Sequence, residues 1–167
     1  MIALVTGGSG CGKSTWAEKL AVGLGGRKCY IATMQVVDDE CAQRVARHRA
    51  QRAGLGFETI EQPVDIGGAA VPAGATVLLE CLPTLLAGEM FGGDANRVLP
   101  GVFSLAERAN HLIVVTNDVF SDGLTYDPET RRYIECLAAL NREIARRADL
   151  VVEVVYSVPV ILKGECP

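Results

Sequence analysis

Residues Gly7 to Ser14 read Gly-Gly-Ser-Gly-Cys-Gly-Lys-Ser, so Gly7, Gly12, Lys13 and Ser14 meet the spacing G-x-x-x-x-G-K-[ST]. The run Ile2-Ala-Leu-Val-Thr6 before it suits a buried strand, and Ser14 to Leu24 behind it suits a helix. A strand, a glycine loop and a helix start in that order make a cradle for phosphate. Glycines let several backbone N–H groups turn toward one anion, and the helix N-terminus adds partial positive charge. Lys13 would neutralise β- and γ-phosphates, and the Ser14 hydroxyl would hold Mg²⁺. The bland alternative is a chance glycine turn before a helix. The strand in front and the Lys-Ser pair behind favour a site for a nucleoside triphosphate.

The rest of the chain alternates strand-like and helix-like segments, as a parallel α/β sheet does. Strands are expected at 28–32, at 57–62 on a sheet edge, at 76–80 and at 111–116. Helices are expected at 39–52, from Pro83 to about Phe91, at 104–109 and at 128–148. Residues 92–100 and 117–127 read as loops. The β-branched runs Leu150 to Tyr156 and Val158 to Leu162 predict a terminal hairpin, hence one antiparallel strand at the edge. The expected fold is therefore α/β, a mostly parallel central sheet with helices on both faces, and one domain over residues 1–167.

Composition narrows the partners. A net charge of −4 argues against a general nucleic-acid surface. The first apolar run is only a strand long with no basic region before it, and no stretch is long enough to span a bilayer. Six cysteines at 11, 29, 41, 81, 136 and 166 show neither metal nor disulfide spacing. Reduced thiols in a cytoplasmic protein follow. Cys11, inside the loop, is either a reactive thiol at a helix N-terminus or only a small residue where one is needed.

Other constellations carry a functional and a plain reading each. Asp38, Asp39 and Glu40 precede a basic stretch with Arg44, Arg47, His48, Arg49 and Arg52. At helical spacing Cys41, Ala42, Val45 and Ala46 form the apolar stripe, and Arg49 projects into it. A buried arginine needs an anion such as phosphate. Arginines beside His48 would keep its imidazole neutral, which is a competent nucleophile toward phosphorus. The plain reading is a solvated basic face with an incidental histidine. Glu80 ends an apolar strand, where parallel sheets put ligand-binding residues. It would hold Mg²⁺ through water, bind a ribose, or merely cap the next helix. Glu61, near the end of the edge strand, is a weaker candidate. The polar loop after Thr116 would touch a second substrate, or its Asn and Asp residues simply favour turns.

Taken in order, Thr6 to Ser14, Tyr30-Ile-Ala-Thr33, Asp38-Asp-Glu40, Arg44-Val-Ala-Arg-His-Arg49, Leu79-Glu-Cys-Leu82 and Thr116-Asn-Asp-Val119 resemble a known family. It is the bifunctional adenosylcobinamide kinase / adenosylcobinamide-phosphate guanylyltransferase family of cobalamin synthesis. The resemblance runs over nearly the whole chain. It implies a P-loop NTPase of RecA-like fold that phosphorylates the hydroxyl of a corrinoid, adenosylcobinamide, with GTP or ATP and Mg²⁺. A histidine then attacks the α-phosphorus of GTP, and the guanylyl group passes to adenosylcobinamide phosphate. The family's nucleophile falls on His48, with Lys13 as the other catalytic residue. Its nucleotide contacts fall on Gly7, Gly8, Ser9, Gly10, Cys11, Gly12, Lys13 and Ser14, on Ala32, Thr33 and Met34, on Arg49, Ala50, Gln51 and Arg52, and on Glu61 and Glu80. The resemblance further implies a homotrimer, and the composition read above leaves no nucleic-acid partner and no membrane insertion.

The chain departs from the family pattern in places. Gly10 and Cys11 stand where the family's loop has arginine and serine, so one fixed charge near the phosphates is lost. The segment between Leu86 and Ser104 is shorter, and the loop from Val119 to Pro128 is longer and more polar. Two other readings remain at this level: a monofunctional small-molecule kinase with His48 idle, and a nucleotide-binding regulator without transfer chemistry.

Overall fold

Strand β1 (Ile2–Thr6) lies inside the sheet, between β5 (His111–Val115) and β6 (Leu150–Val155). The computed structural model describes residues 1–34, 46, 50, 52–119 and 124–167. Among them the sheet has seven strands in the order β3-β2-β4-β5-β1-β6-β7. Here β2 is Lys28–Ala32, β3 Phe57–Glu61, β4 Thr76–Glu80 and β7 Val158–Lys163. Every pairing is parallel except β6 with β7. The edge strand at 57–61 and the terminal hairpin thus stand where the sequence puts them.

The central strands are apolar on both sides because both sides are covered. Ala3 and Val5 of β1, Leu78 of β4 and Ile113 of β5 pack against Ala17, Leu20 and Ala21 of helix α1 (Lys13–Leu24). On the other face lie Leu4, Val77, Leu79, Leu112 and Val114. They meet α2 (Leu82–Gly92), α3 (Val98–Arg108) and α4 (Pro128–Arg147). Helix α4 starts as its sequence dictates: the Asp127 carboxylate accepts from the N–H groups of Glu129 and Thr130, and Pro128 fills the first turn.

One helix start differs from expectation. Residues 92–100 read as loop, yet α3 begins at Val98 after a short turn at Ala95–Arg97. Pro100 falls in the first helical turn, where its missing N–H costs no bond. Gly101 is a packing residue: a Cβ there would lie 2.6 Å from Ile66 Cγ2 and 2.9 Å from the Gly67 nitrogen. A second difference concerns the basic stretch. Ala46 and Ala50 are helical but exposed, whereas Arg52, at the helix end, is buried. Ala46 therefore does not belong to a buried stripe. The remainder of the 39–52 expectation lies outside the described residues.

Register decides where function can sit. Ala32 is level with Glu61 on one side and Glu80 on the other; Glu80 is level with Val115, and Thr6 with Glu153. Six strands therefore end along one rim, the carboxyl edge at which open α/β sheets bind ligands.

Candidate functional site

The loop between β1 and α1 is shaped by its glycines and by what lies behind them. Gly7 has φ +145, and a Cβ there would fall 2.5 Å from the Val154 carbonyl oxygen. Gly12, at φ +93, caps α1; a Cβ on it would fall 2.6 Å from Ser157 Oγ. Both contacts are with the β6–β7 hairpin, and the Ser157 N–H donates to the Cys11 carbonyl at 2.8 Å. The loop is thus braced from one side. Gly8, Ser9 and Gly10 are exposed, Cys11 is half-buried, and the buried Lys13 amine donates to the Gly8 carbonyl at 3.0 Å.

Ser14 looks the other way, across the sheet edge. Its hydroxyl donates to Glu80 Oε1 at 2.5 Å, joining the first turn of α1 to the end of β4. Strand β5 separates β4 from β1, so Glu80 reaches the loop over an intervening strand end. The second carboxylate oxygen, Oε2, is buried and has no hydrogen-bond partner among the described residues. Burial holds the Glu80 carboxyl above the usual range. The Ser14 hydrogen bond opposes this shift, and the nearby Glu18 charge adds to it. Ser14 and Glu80 therefore fit a hard cation: an oxygen donor set with one buried acceptor unsatisfied.

Sequence reasoning missed two members of this site, Glu18 and Tyr30, though it named Arg52. Glu18 is buried in α1, and its carboxyl is also raised by burial, with the Arg52 charge pulling it down. The signal was available. Glu18 lies between Ala17 and Ala21 on the buried side of α1, where a carboxylate is out of place. Arg52 is only 6% exposed, and its guanidinium lies 3.3 Å from the centre of the Tyr30 ring. Its Nε and Nη1 have no hydrogen-bond partner among the described residues. Tyr30, taken only as strand, is the platform that positions this arginine. The site thus gathers two cations, Lys13 and Arg52, and two carboxylates, Glu18 and Glu80, whose charges bear on one another.

The other candidates fall in place as follows. Thr33 is buried and turned toward the chain: its Oγ1 accepts from the Cys81 N–H at 2.8 Å. The same hydroxyl lies within donating reach of the Glu80 and Cys81 carbonyls and of Thr84 Oγ1. It fixes the backbone that carries Glu80, where the Glu80–Cys81 peptide is cis. Ala32 and Met34, on either side of it, are half-buried. Glu61 is exposed at the end of β3, level with Ala32. Past β5 the Thr116 hydroxyl donates to Asn141 Oδ1 at 2.8 Å, and Asn117 is half-exposed. His48, Arg49 and Gln51 lie outside the described residues, while Ala50 is on the surface.

Comparisons with known proteins agree on one reading. The family described as cobinamide kinase / cobinamide phosphate guanyltransferase matches residues 3–162. A bifunctional adenosylcobalamin biosynthesis protein, CobP, of Pseudomonas aeruginosa is 33% identical over 97% of both chains. The bifunctional adenosylcobalamin biosynthesis proteins CobU of Escherichia coli K12 and of Salmonella typhimurium are each 33% identical over 98% of this chain and all of their own. Among solved structures, the flagellar accessory protein FlaH from Methanocaldococcus jannaschii matches with a TM-score of 0.51. That match has 12% identity and covers 98% of this chain and 78% of the other. It bears on fold alone, and with the glycine loop it gives a P-loop nucleotide-binding fold.

Proposed function

This chain belongs to the cobinamide kinase / cobinamide phosphate guanyltransferase family, and on that footing we propose that it performs two reactions on one phosphate loop. In the first, the hydroxyl oxygen of adenosylcobinamide bonds to the γ-phosphorus of GTP or ATP. The β–γ bridging bond breaks, the nucleoside diphosphate leaves, and the hydroxyl proton passes to solvent. In the second, an imidazole nitrogen of His48 bonds to the α-phosphorus of GTP and pyrophosphate leaves. A phosphate oxygen of adenosylcobinamide phosphate then displaces His48, giving adenosylcobinamide-GDP.

The observation that carries this reading is the Lys13–Ser14–Glu80 arrangement at the carboxyl rim. Both steps build negative charge on phosphate oxygens, and preformed cations and N–H groups aimed at that charge lower both barriers. Lys13 would leave the Gly8 carbonyl for a phosphate oxygen, and Arg52 offers to another its Nε and Nη1, which have no partner among the described residues. Ser14 and Glu80 would hold Mg²⁺, which supplies further charge neutralisation on the triphosphate when bound. Ala32, Met34 and Glu61, beside Glu80 on the rim, would face the nucleoside of the guanylyl donor. Thr33 would act through the backbone it holds.

The reading extends to one catalytic domain over the chain, a homotrimer, a corrinoid as the second substrate, and the cytoplasm as its place. Among the described residues no helix is long and apolar enough to cross a membrane. Intact mass measured after incubation with GTP and Mg²⁺ tests the second step. The wild type should gain an acid-labile GMP-sized adduct that adenosylcobinamide phosphate removes; His48→Ala should gain none and keep part of its kinase rate. A wild type that binds GTP and phosphorylates the corrinoid without forming the adduct would reduce the protein to a kinase.

A further inference from the structure

Beside the phosphate loop, on the side away from Glu80, lies a groove of about 340 Å³. Its walls are Gly8 to Cys11 and the end of β6, from Glu153 to Val155, closed by Tyr156 at the hairpin tip. Three observations make this tip unusual. Tyr156 and Ser157 form a two-residue turn with φ of +49 and +66, a conformation that favours Asn and Gly and disfavours a large side chain. Tyr156 is 92% exposed, so no packing among the described residues compensates for that conformation. The turn is nonetheless fixed, because the Ser157 N–H donates to Cys11 and its side chain fills the space left by Gly12. An aromatic side chain is thus carried, exposed, on a fixed turn beside a phosphate cradle, at some conformational cost. Local rules are broken in this way at functional positions.

We propose that Tyr156 is a stacking platform for the purine base of a nucleoside triphosphate whose phosphates lie in the Gly7–Ser14 loop. A ring face offers sequence-tolerant stacking to any base, and the glycine side of the groove lets the ribose approach the backbone closely. The proposal rests on the phosphate-loop reading above and adds a base subsite to it. Its position is informative. Ala32, Met34, Arg52 and Glu61 lie on the β2–β3–β4 side of β1, and Tyr156 lies on the β6–β7 side. A chain that spends nucleotide in two steps, one cleaving at the γ- and one at the α-phosphorus, has use for two base positions around one loop.

The test compares nucleotides with inorganic tripolyphosphate, which occupies the loop and has no base. Tyr156→Asn keeps the left-handed turn and removes the ring; Tyr156→Phe keeps the ring. In the presence of Mg²⁺, Tyr156→Asn should bind GTP and ATP about ten-fold more weakly than the wild type. Tripolyphosphate affinity should be unchanged, and Tyr156→Phe should bind like the wild type. Unchanged GTP and ATP affinity in Tyr156→Asn overturns the platform while leaving the phosphate loop intact. An equal loss for tripolyphosphate also overturns it, showing that the tip acts by bracing the loop. Failure of the wild type to bind tripolyphosphate overturns the platform together with the phosphate-loop reading.

Discussion

At the residue scale the site is a set of charges held away from water. Lys13→Ala should lower the rate of both the phosphorylation and the guanylyl-transfer step by about 100-fold or more, because in the proposed mechanism one cation serves both. Steady-state assays of each half-reaction check this, and a rate loss confined to one step would separate their phosphate sites. Glu18 gives a prediction in the absence of ligand. Burial raises its carboxyl above the usual 4.5, so above that pH the unfolded chain releases a proton that the folded chain retains. The stability present below pH 4.5 is therefore lost as pH climbs through the raised value. Glu18→Gln removes the titration, so its melting temperature should fall less than the wild type's between pH 4.5 and 8; parallel curves would refute it. Lys13 and Ser14 were legible because their chemistry is local and ordered in sequence. The Ser14–Glu80 bond was not, since it joins residues 66 apart through the topology of the sheet. Arg52 shows the limit of helical periodicity. Arg52 occupies the end of its helix, where packing on Tyr30 rather than the apolar stripe decides what is buried.

At the scale of elements, strands were the most legible, because a strand buried on both faces is apolar throughout its length. The start of α3 was not. Residues 92–100 read as a loop, yet Pro100 suits a first turn and Gly101 a close approach to Gly67. Arg108, in the last turn of α3, ties that approach down by donating to the Gly67 and Ala69 carbonyls, each at 2.8 Å. Arg108→Ala leaves both carbonyls without these charged donors and should cost about 1–3 kcal/mol. Urea unfolding measures this, and an unchanged midpoint would mean that water replaces the guanidinium fully. Gly12→Ala strikes a different junction. Its φ of +93 and the Ser157 side chain leave no room for a methyl group, so the hairpin must shift from the loop. Melting temperature and GTP affinity should fall together.

For the whole molecule, the sheet order places Glu80 two strands from the loop it serves, and only a folded sheet reveals this. The alternation of strands and helices was readable as a class of fold, whereas strand order depends on packing that no local pattern records. The far edge ends in β7, whose Val158, Val160, Ile161 and Leu162 are all exposed. An apolar edge of this kind invites another chain, which agrees with the proposed homotrimer. Sedimentation should give three times the 17.7 kDa of the chain, and Ile161→Glu should lower that mass; a monomer at micromolar concentration would remove the trimer from the reading. The central position of β1 also orders the protein's birth. Its partners are residues 111–115 and 150–155, and β1 leaves the ribosome before either. At roughly 5–20 residues per second, the nascent phosphate loop waits on the order of ten seconds for the strands that flank it. Translation that stops short of β6 therefore yields a chain that carries the entire glycine motif and lacks the wall against which it is shaped.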